Sequence, residues 1–310
     1  MLFRRSTAGM TTKNKMSLPE DSSVQITSTG RIGIVAGGGR LPLLVAESAV
    51  AGGARPVIVL LEGEVEDPSA YAAFTTENLS LEGAARLLPI LKSHGVDRVV
   101  LAGAVTRRPK LRDIKWDRRM ISWLPPLASA IWQGDNVLLS ALVGILEKQG
   151  LRVVGAHEVA PDLLTIEGPL TKIRPGKADL RDIDAARIAA EAIGQLDIGQ
   201  AAVSIGGRVI ALEGIEGTEG LLERVATLRG HGRLAGRKGG VLVKVSKPQQ
   251  EMRADLPAIG PRTVDFAHRA GLAGIALEAG RSLVLDGPDV VRIANECGLF
   301  VVGLKSGLAT

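Results

Sequence analysis

The densest run of reactive side chains lies between residues 244 and 260: Lys244-Val245-Ser246-Lys247-Pro248-Gln249-Gln250-Glu251-Met252-Arg253-Ala254-Asp255-Leu256-Pro257-Ala258-Ile259-Gly260. An apolar stretch runs straight into two lysines, two amides, an arginine and two carboxylates. Prolines and a glycine bracket them, so the backbone is restricted rather than floppy. Polar density so placed suits a loop gripping an anionic ligand. Lys244 and Lys247 could offset phosphate charge. Asp255 and Glu251 could bind a hard cation such as magnesium, or one could take a proton from water. The competing reading is a solvated turn, against which Leu256, Pro257 and Ile259 speak by pointing to a packed segment.

A second candidate is Ala36-Gly37-Gly38-Gly39-Arg40-Leu41-Pro42, between a strand pattern and a helix pattern. Backbone amides at such a turn, with a helix N-terminus behind them, make an anion site. The dinucleotide fingerprint wants glycine where Pro42 stands, although Glu62 is placed to meet a ribose. The Walker loop needs Gly-Lys-Ser/Thr, which is absent here. A third candidate, Gly103-Ala104-Val105-Thr106-Arg107-Arg108-Pro109, follows the next strand and emerges on the same sheet edge. Arg107 and Arg108 could meet a phosphate bidentately or form a solvated charge pair. Asp135 reads as a helix cap ahead of a ligand. His94, His157, His231 and His268 show no metal-ligand spacing and read as structural or surface residues. No Gly-x-Ser-x-Gly element is present.

Strand, helix and strand alternate around these segments. Residues 32–36, 57–61 and 98–102 are short continuous apolar strands, separated by helical patterns over 43–51 and 81–94. That alternation implies a parallel, doubly wound sheet. A helix over 135–149 and a strand over 152–156 complete a first domain, 31–160. Prolines 161, 169 and 175 mark a linker over 161–176. In the second domain, 177–310, a helix over 182–193 precedes two strands, 201–205 and 208–212, around Gly206-Gly207, a hairpin signal. A helix follows over 218–228 with Thr218 as its expected cap. Strands at 241–245, 274–277, 282–285 and 299–302 alternate with helices at 263–270 and 288–297, a second α/β unit.

With 310 residues the chain suits two domains at roughly 150 residues each. Lysine and arginine exceed acids by 38 − 33 = +5, and only eight residues are aromatic. Aromatic poverty argues against single-strand nucleic-acid binding, which leans on stacking platforms. The single cysteine, Cys297, excludes an internal disulfide and a thiolate-rich zinc site, and reads as packing. No apolar run approaches the roughly 18 residues of a membrane-spanning helix, so a cytoplasmic protein is expected. Residues 1–30 are rich in serine and threonine without apolar periodicity, and read as a disordered extension. Arg4 and Arg5 ahead of hydroxyl residues weakly resemble a targeting segment; Met10 and Met16 offer later starts.

Several blocks in order, IGIVAGGGRLP (32–42), GAHEV (155–159), LDIGQ (196–200), EGTEGLLERV (216–225) and LVKVSKPQQEMRADLPAIGPRTV (242–264) followed by AGLAGIALEAG, resemble the LpxI-type UDP-2,3-diacylglucosamine pyrophosphatases. The resemblance covers about residues 31–305. It implies hydrolysis of UDP-2,3-diacylglucosamine to UMP and 2,3-diacylglucosamine 1-phosphate (lipid X) in lipid A synthesis, with magnesium required and water attacking the β-phosphate. It implies an N-terminal Rossmann-like domain and a C-terminal α/β domain, with ligand between them and acyl chains mainly in the second. Asp255, in Arg-x-Asp-Leu-Pro, is the residue tied to catalysis, as metal ligand or water-activating base, with Glu251 as partner. Gly37, Gly38, Gly39, Leu41, Pro42, Gly103, Val105, Lys247, Gln250, Arg253 and Thr263 are the implied substrate contacts. A homodimer through the C-terminal domain and peripheral contact with the inner membrane also follow from it.

The block after the third strand departs from the family. Ala104 takes a position that is more often polar, which leaves Gly103 and Val105 as backbone or packing contacts. Two other classes stay open on the residues alone: a nicotinamide-dependent oxidoreductase, supported by the glycine-rich turn and Glu62, and a non-catalytic binder of nucleotide-sugar lipids.

Overall fold

A computed structural model describes residues 30–107, 135–234 and 236–305. The expectations for residues 1–29, Arg108, Pro109 and the side chain of Asp135 fall outside it.

Five strands, β1 (Arg31–Ala36), β2 (Val57–Leu61), β3 (Thr75–Leu79), β4 (Val96–Ala102) and β5 (Arg152–Val153), form one parallel sheet in the order β3-β2-β1-β4-β5. Helices α1 (Leu41–Ala51), α2 (Leu87–Ser93), α3 (Asp135–Lys148) and α4 (Ala156–Val159) accompany them. β2 reads VIVLL and is buried throughout, as a strand covered on both faces must be. Separate apolar clusters lie on the two sheet faces, one around Ile34, Ile58 and Val45, the other around Val59, Leu91 and Leu146. The strand order reverses between β1 and β4, so the turns after these two strands share the crevice where such sheets bind ligands.

The second sheet is mixed. Its order is β6 (Gly168–Pro169), β13 (Phe300–Leu304), β11 (Gly274–Glu278), β9 (Val241–Lys244), β7 (Ala201–Ile205) and β8 (Arg208–Leu212). β13, β11 and β9 run parallel, while β6 and the β7–β8 hairpin join antiparallel. Gly206 and Gly207 both have positive φ, the geometry of the expected two-residue hairpin. Helices α5 (Lys177–Gln195), α6 (Gly217–Leu228), α7 (Pro261–Arg269) and α8 (Gly287–Glu296) pack on this sheet, and Cys297 lies against its core. A small parallel pair, β10 (Ala258–Ile259) and β12 (Leu283–Val284), sits beside it.

Several local expectations change. Residues 81–94 are a 3-10 turn, Leu81–Arg86, and then α2, because Gly83 is non-helical and its amide bonds the Ser80 hydroxyl. β3 has a mostly exposed, polar sequence, TTENL, and carries no apolar run to announce it. Only Arg152–Val153 of the 152–156 stretch is strand, because Glu158 accepts the Gly155 amide and starts α4. Thr218 does not cap α6; its hydroxyl serves Lys244 and Glu213 instead. Within 161–176, Gly168–Pro169 is strand, paired with β13.

Candidate functional site

Two loops leave the crevice of the first sheet, and glycine is what lets them touch. Gly37 donates its amide to Ala102 and Gly38 to Ala104, while Ala104 donates back to Gly38. A Cβ on Gly37 would lie 2.4 Å from the Ala104 carbonyl oxygen, and one on Gly103, whose φ is +88°, would lie 2.9 Å from Pro42. The amides of Gly37 and Gly38 are therefore spent on the neighbouring turn. Gly39, at φ +83°, and Arg40 keep amides that make no hydrogen bond among the described residues, at the start of α1. Leu41 packs at the edge of the core, Pro42 is buried in the first turn, and Val105 is half exposed.

Glu64, which pattern reading did not single out, holds the turn at Thr106 and Arg107. Its carboxylate is buried and accepts from the Thr106 amide (2.7 Å), the Thr106 hydroxyl (2.8 Å) and the Arg107 amide (3.1 Å). The Arg107 guanidinium lies 3.4 Å away and donates also to the Glu62 carbonyl. Burial pushes the Glu64 carboxyl up, but these donors outweigh it and hold the group below the usual carboxylate range. Arg107 is thus a clamp on its own loop.

In the second domain β9 ends in Lys244, which is buried and donates to the Thr218 hydroxyl (2.9 Å) and the Ala258 carbonyl (3.1 Å). Thr218 in turn bonds Glu213, which accepts the Gln200 amide. Lys244 is a strut under the loop and is not placed to meet phosphate. The Lys247 ammonium lies 2.6 Å from Asp197, with its side chain largely covered. The Gln250 side chain is buried and used at both ends. Its oxygen accepts the Lys247 amide (2.9 Å), and its nitrogen donates to Asp255 Oδ2. The other Asp255 oxygen has no hydrogen-bond partner among the described residues. Gln250 therefore orients Asp255, and its amide is not offered to phosphate.

Glu251 and Arg253 form a two-point ion pair at 2.8 and 2.9 Å. Those charge-assisted bonds hold the Glu251 carboxyl below its ordinary range and push Arg253 up. Thr263 is buried, and its hydroxyl accepts the Gly260 amide at the start of α7.

This loop also joins the two domains. Asn136 on α3 donates to the Gln249 carbonyl (2.6 Å) and accepts the Glu251 amide (2.9 Å). Glu147, on the same helix, meets Arg253 at 2.6 Å, and Ala254 packs against the first domain's core. Arg40 makes a two-point contact with Asp286, at 3.0 and 3.1 Å, from the glycine-rich turn to the start of α8. Asp197 and Asp286 are the two non-glycine residues with positive φ among those described, and each puts its carboxylate on a site cation. Strained backbone of this kind gathers at functional sites. The implied residues thus fall into two groups, 37–42 with 103–105 in the first domain and 247–255 in the second, with Thr263 apart from both; Arg40 and Asn136 make contacts between the domains.

The donor set decides what metal could be held. Among the described residues no three His, Cys, Asp or Glu side chains gather. Magnesium commonly takes one or two carboxylates and completes its shell with waters and substrate phosphates. Asp255, with one oxygen free, fits that habit. Glu251 does not, because Arg253 occupies both of its oxygens.

Family comparisons agree with the two-sheet division. Residues 31–163 match the model of the LpxI N-terminal domain, and residues 166–302 match that of the LpxI C-terminal domain. A curated protein of Caulobacter vibrioides, "UDP-2,3-diacylglucosamine pyrophosphatase LpxI", is 41% identical over 278 residues, covering 88% of this chain and 97% of that one. Among solved structures, a putative epimerase from Burkholderia cenocepacia overlays at TM-score 0.31 with 12% identity, covering 90% of this chain and 84% of that one. FolM alternative dihydrofolate reductase 1 from Brucella canis overlays at 0.28 with 13% identity, covering 84% and 94%. Overlays at these scores carry no argument about fold or chemistry.

Proposed function

The chain belongs to the LpxI family of UDP-2,3-diacylglucosamine pyrophosphatases, and on that premise we propose that it hydrolyses UDP-2,3-diacylglucosamine to UMP and 2,3-diacylglucosamine 1-phosphate. The observation that carries the chemistry is the 245–260 loop, held between the domains with one oxygen of Asp255 fixed by Gln250 and the other open. The anhydride needs cations for its phosphates and a carboxylate at the reacting phosphorus. Lys247 and Arg253 lie on the same loop as Asp255, and Gln250 bonds both the Lys247 amide and Asp255. The amides of Gly39 and Arg40, which have no partner among the described residues, offer donors to an anion at the start of α1.

Asp255, with the substrate's phosphates, would hold magnesium, which when bound would offset the negative charge that builds on the phosphoryl oxygens. Glu251 keeps Arg253 in place instead of ligating. Two roles for Asp255, metal ligand and proton acceptor for water, separate on Asp255→Asn. If Asp255 is a ligand, that variant binds manganese more weakly in the presence of product. If Asp255 acts as a base, it binds manganese as the parent does.

The assay that tests the reading is product analysis on purified protein, with and without magnesium. Equal amounts of UMP and lipid X support it, and folded protein that releases neither sinks it.

Two coarser assignments attach to this reading. No helix among the described residues is long and apolar enough to cross a membrane, and peripheral contact is proposed as the way the lipid substrate is met. Co-sedimentation with anionic vesicles checks that. A homodimer through the C-terminal domain is proposed on the open edge of β8, where Leu212, Ile198 and Ile215 are exposed. Edge strands carrying apolar side chains are templates for pairing. Light scattering after gel filtration reads the mass.

A further inference from the structure

We propose that Arg281 is a phosphate-binding residue of this site. The inference rests on the pyrophosphate reading above and comes from asking where the positive charge for a pyrophosphate is to be found. Among the described residues, each cation assigned from the sequence already holds a partner. Lys244 is a buried strut, Lys247 is on Asp197, and Arg253 is shared by Glu251 and Glu147. Arg40 is on Asp286 and Arg107 on Glu64. An entering pyrophosphate has to displace a carboxylate from any of the last four before it gains the contact.

Arg281 differs. It lies three residues past the end of β11, the strand next to β9 in the sheet and parallel to it. Ligands of α/β sheets collect outside such carboxyl ends. Its nearest carboxylate, Glu278, is 3.7 Å from Nε, a charge contact beyond hydrogen-bond reach, and that carboxylate accepts the amide and hydroxyl of Ser246. Nε is buried with no hydrogen-bond partner among the described residues. Nη2 points at the sulfur of Met252, 3.7 Å away, a weak acceptor.

The guanidinium therefore lies beside the 245–260 loop, at Met252, which precedes Asp255 by three residues, with its Nε donor unspent. A buried donor without a partner in a native fold calls for a missing one, and the rest of the side chain, 40% exposed, is open to a ligand. A planar fork of N–H groups is matched by two phosphate oxygens. No bond forms or breaks at Arg281; it grips.

The test uses Arg281→Lys and Arg281→Met in the full chain, with circular dichroism to verify folding. Two quantities are read: kcat/KM for UMP release and the Kd for inorganic pyrophosphate. Arg281→Met is expected to lose about 10- to 100-fold in kcat/KM, carried mainly by KM, with a parallel loss of pyrophosphate affinity. Arg281→Lys, which keeps the charge without the fork, is expected to fall between. If Arg281→Met stays within about threefold of the parent in both readouts, the assignment is overturned. It is equally overturned if Arg281→Met outperforms Arg281→Lys, since that order marks packing on Met252. A parent protein that binds pyrophosphate but releases no UMP defeats the hydrolytic reading alone, and the pyrophosphate affinities of the three proteins then decide about Arg281.

Discussion

Asp255 has one oxygen engaged and one open, and a buried neutral amide sets which is which. Replacing Gln250 by Met keeps bulk and removes both hydrogen bonds. The carboxylate then samples other rotamers, and kcat is expected to fall about 10- to 100-fold while KM changes little. Steady-state kinetics over a substrate range separates the two, and a loss confined to KM would contradict the positioning role. The loop itself was legible in the sequence, because polar residues packed between Pro248 and Pro257 stand out against apolar surroundings. Its partners were not. Asp197 lies 50 residues from Lys247, Glu147 lies 106 from Arg253, and Asn136 lies 115 from Glu251. Spacing along a chain carries no trace of such contacts. Lys244 was misread for the same reason: a lysine at a strand's end looks like a phosphate ligand until its acceptors, Thr218 and Ala258, are located.

The strands and helices place these residues by bringing two turns of the first domain into contact. Gly37→Ala puts a methyl into the Ala104 carbonyl, where only a backbone shift can relieve it. The expected cost is about 1–3 kcal/mol in denaturant unfolding, together with reduced activity; an unchanged midpoint would show that the turns part freely. Glu64 fixes the same turn through its charge. Its folded-state carboxyl titrates below the ordinary value, so its contribution is complete above that value and fades as pH falls through the lower one. Glu64→Gln is therefore expected to cost stability at neutral pH, by about 1–3 kcal/mol, and less as the medium is acidified towards pH 3. Urea midpoints of both proteins at several pH values check the sign of that trend. Buried parallel strands such as β2 were readable as continuous apolar runs. β3 was not, since a polar edge strand has no core face to announce it. The 3-10 stretch at 81–86 escaped because Ser80 captures the Gly83 amide, a side-chain bond that apolar periodicity does not register.

The two domains meet on the 245–260 loop through Asn136 and through Arg253 with Glu147, and away from that loop through Arg40 with Asp286. The last of these spans the domains at a partly exposed position, so its strength is modest. A double-mutant cycle with Arg40→Ala and Asp286→Ala, read in KM, is expected to give a coupling of about 0.2–1 kcal/mol that shrinks with salt. A salt-independent coupling well above that would mean that the pair is sealed from water when ligand binds. Such closure lets one domain bring the amides of the glycine-rich turn and the other bring the carboxylate. The central claim is that Asp255 carries the hydrolysis, and the most direct measurement is UMP release from UDP-2,3-diacylglucosamine by Asp255→Ala beside the parent protein. The expected result is a fall of about 10²- to 10⁴-fold in kcat with substrate affinity kept; a variant that retains turnover within a few-fold of the parent would contradict it.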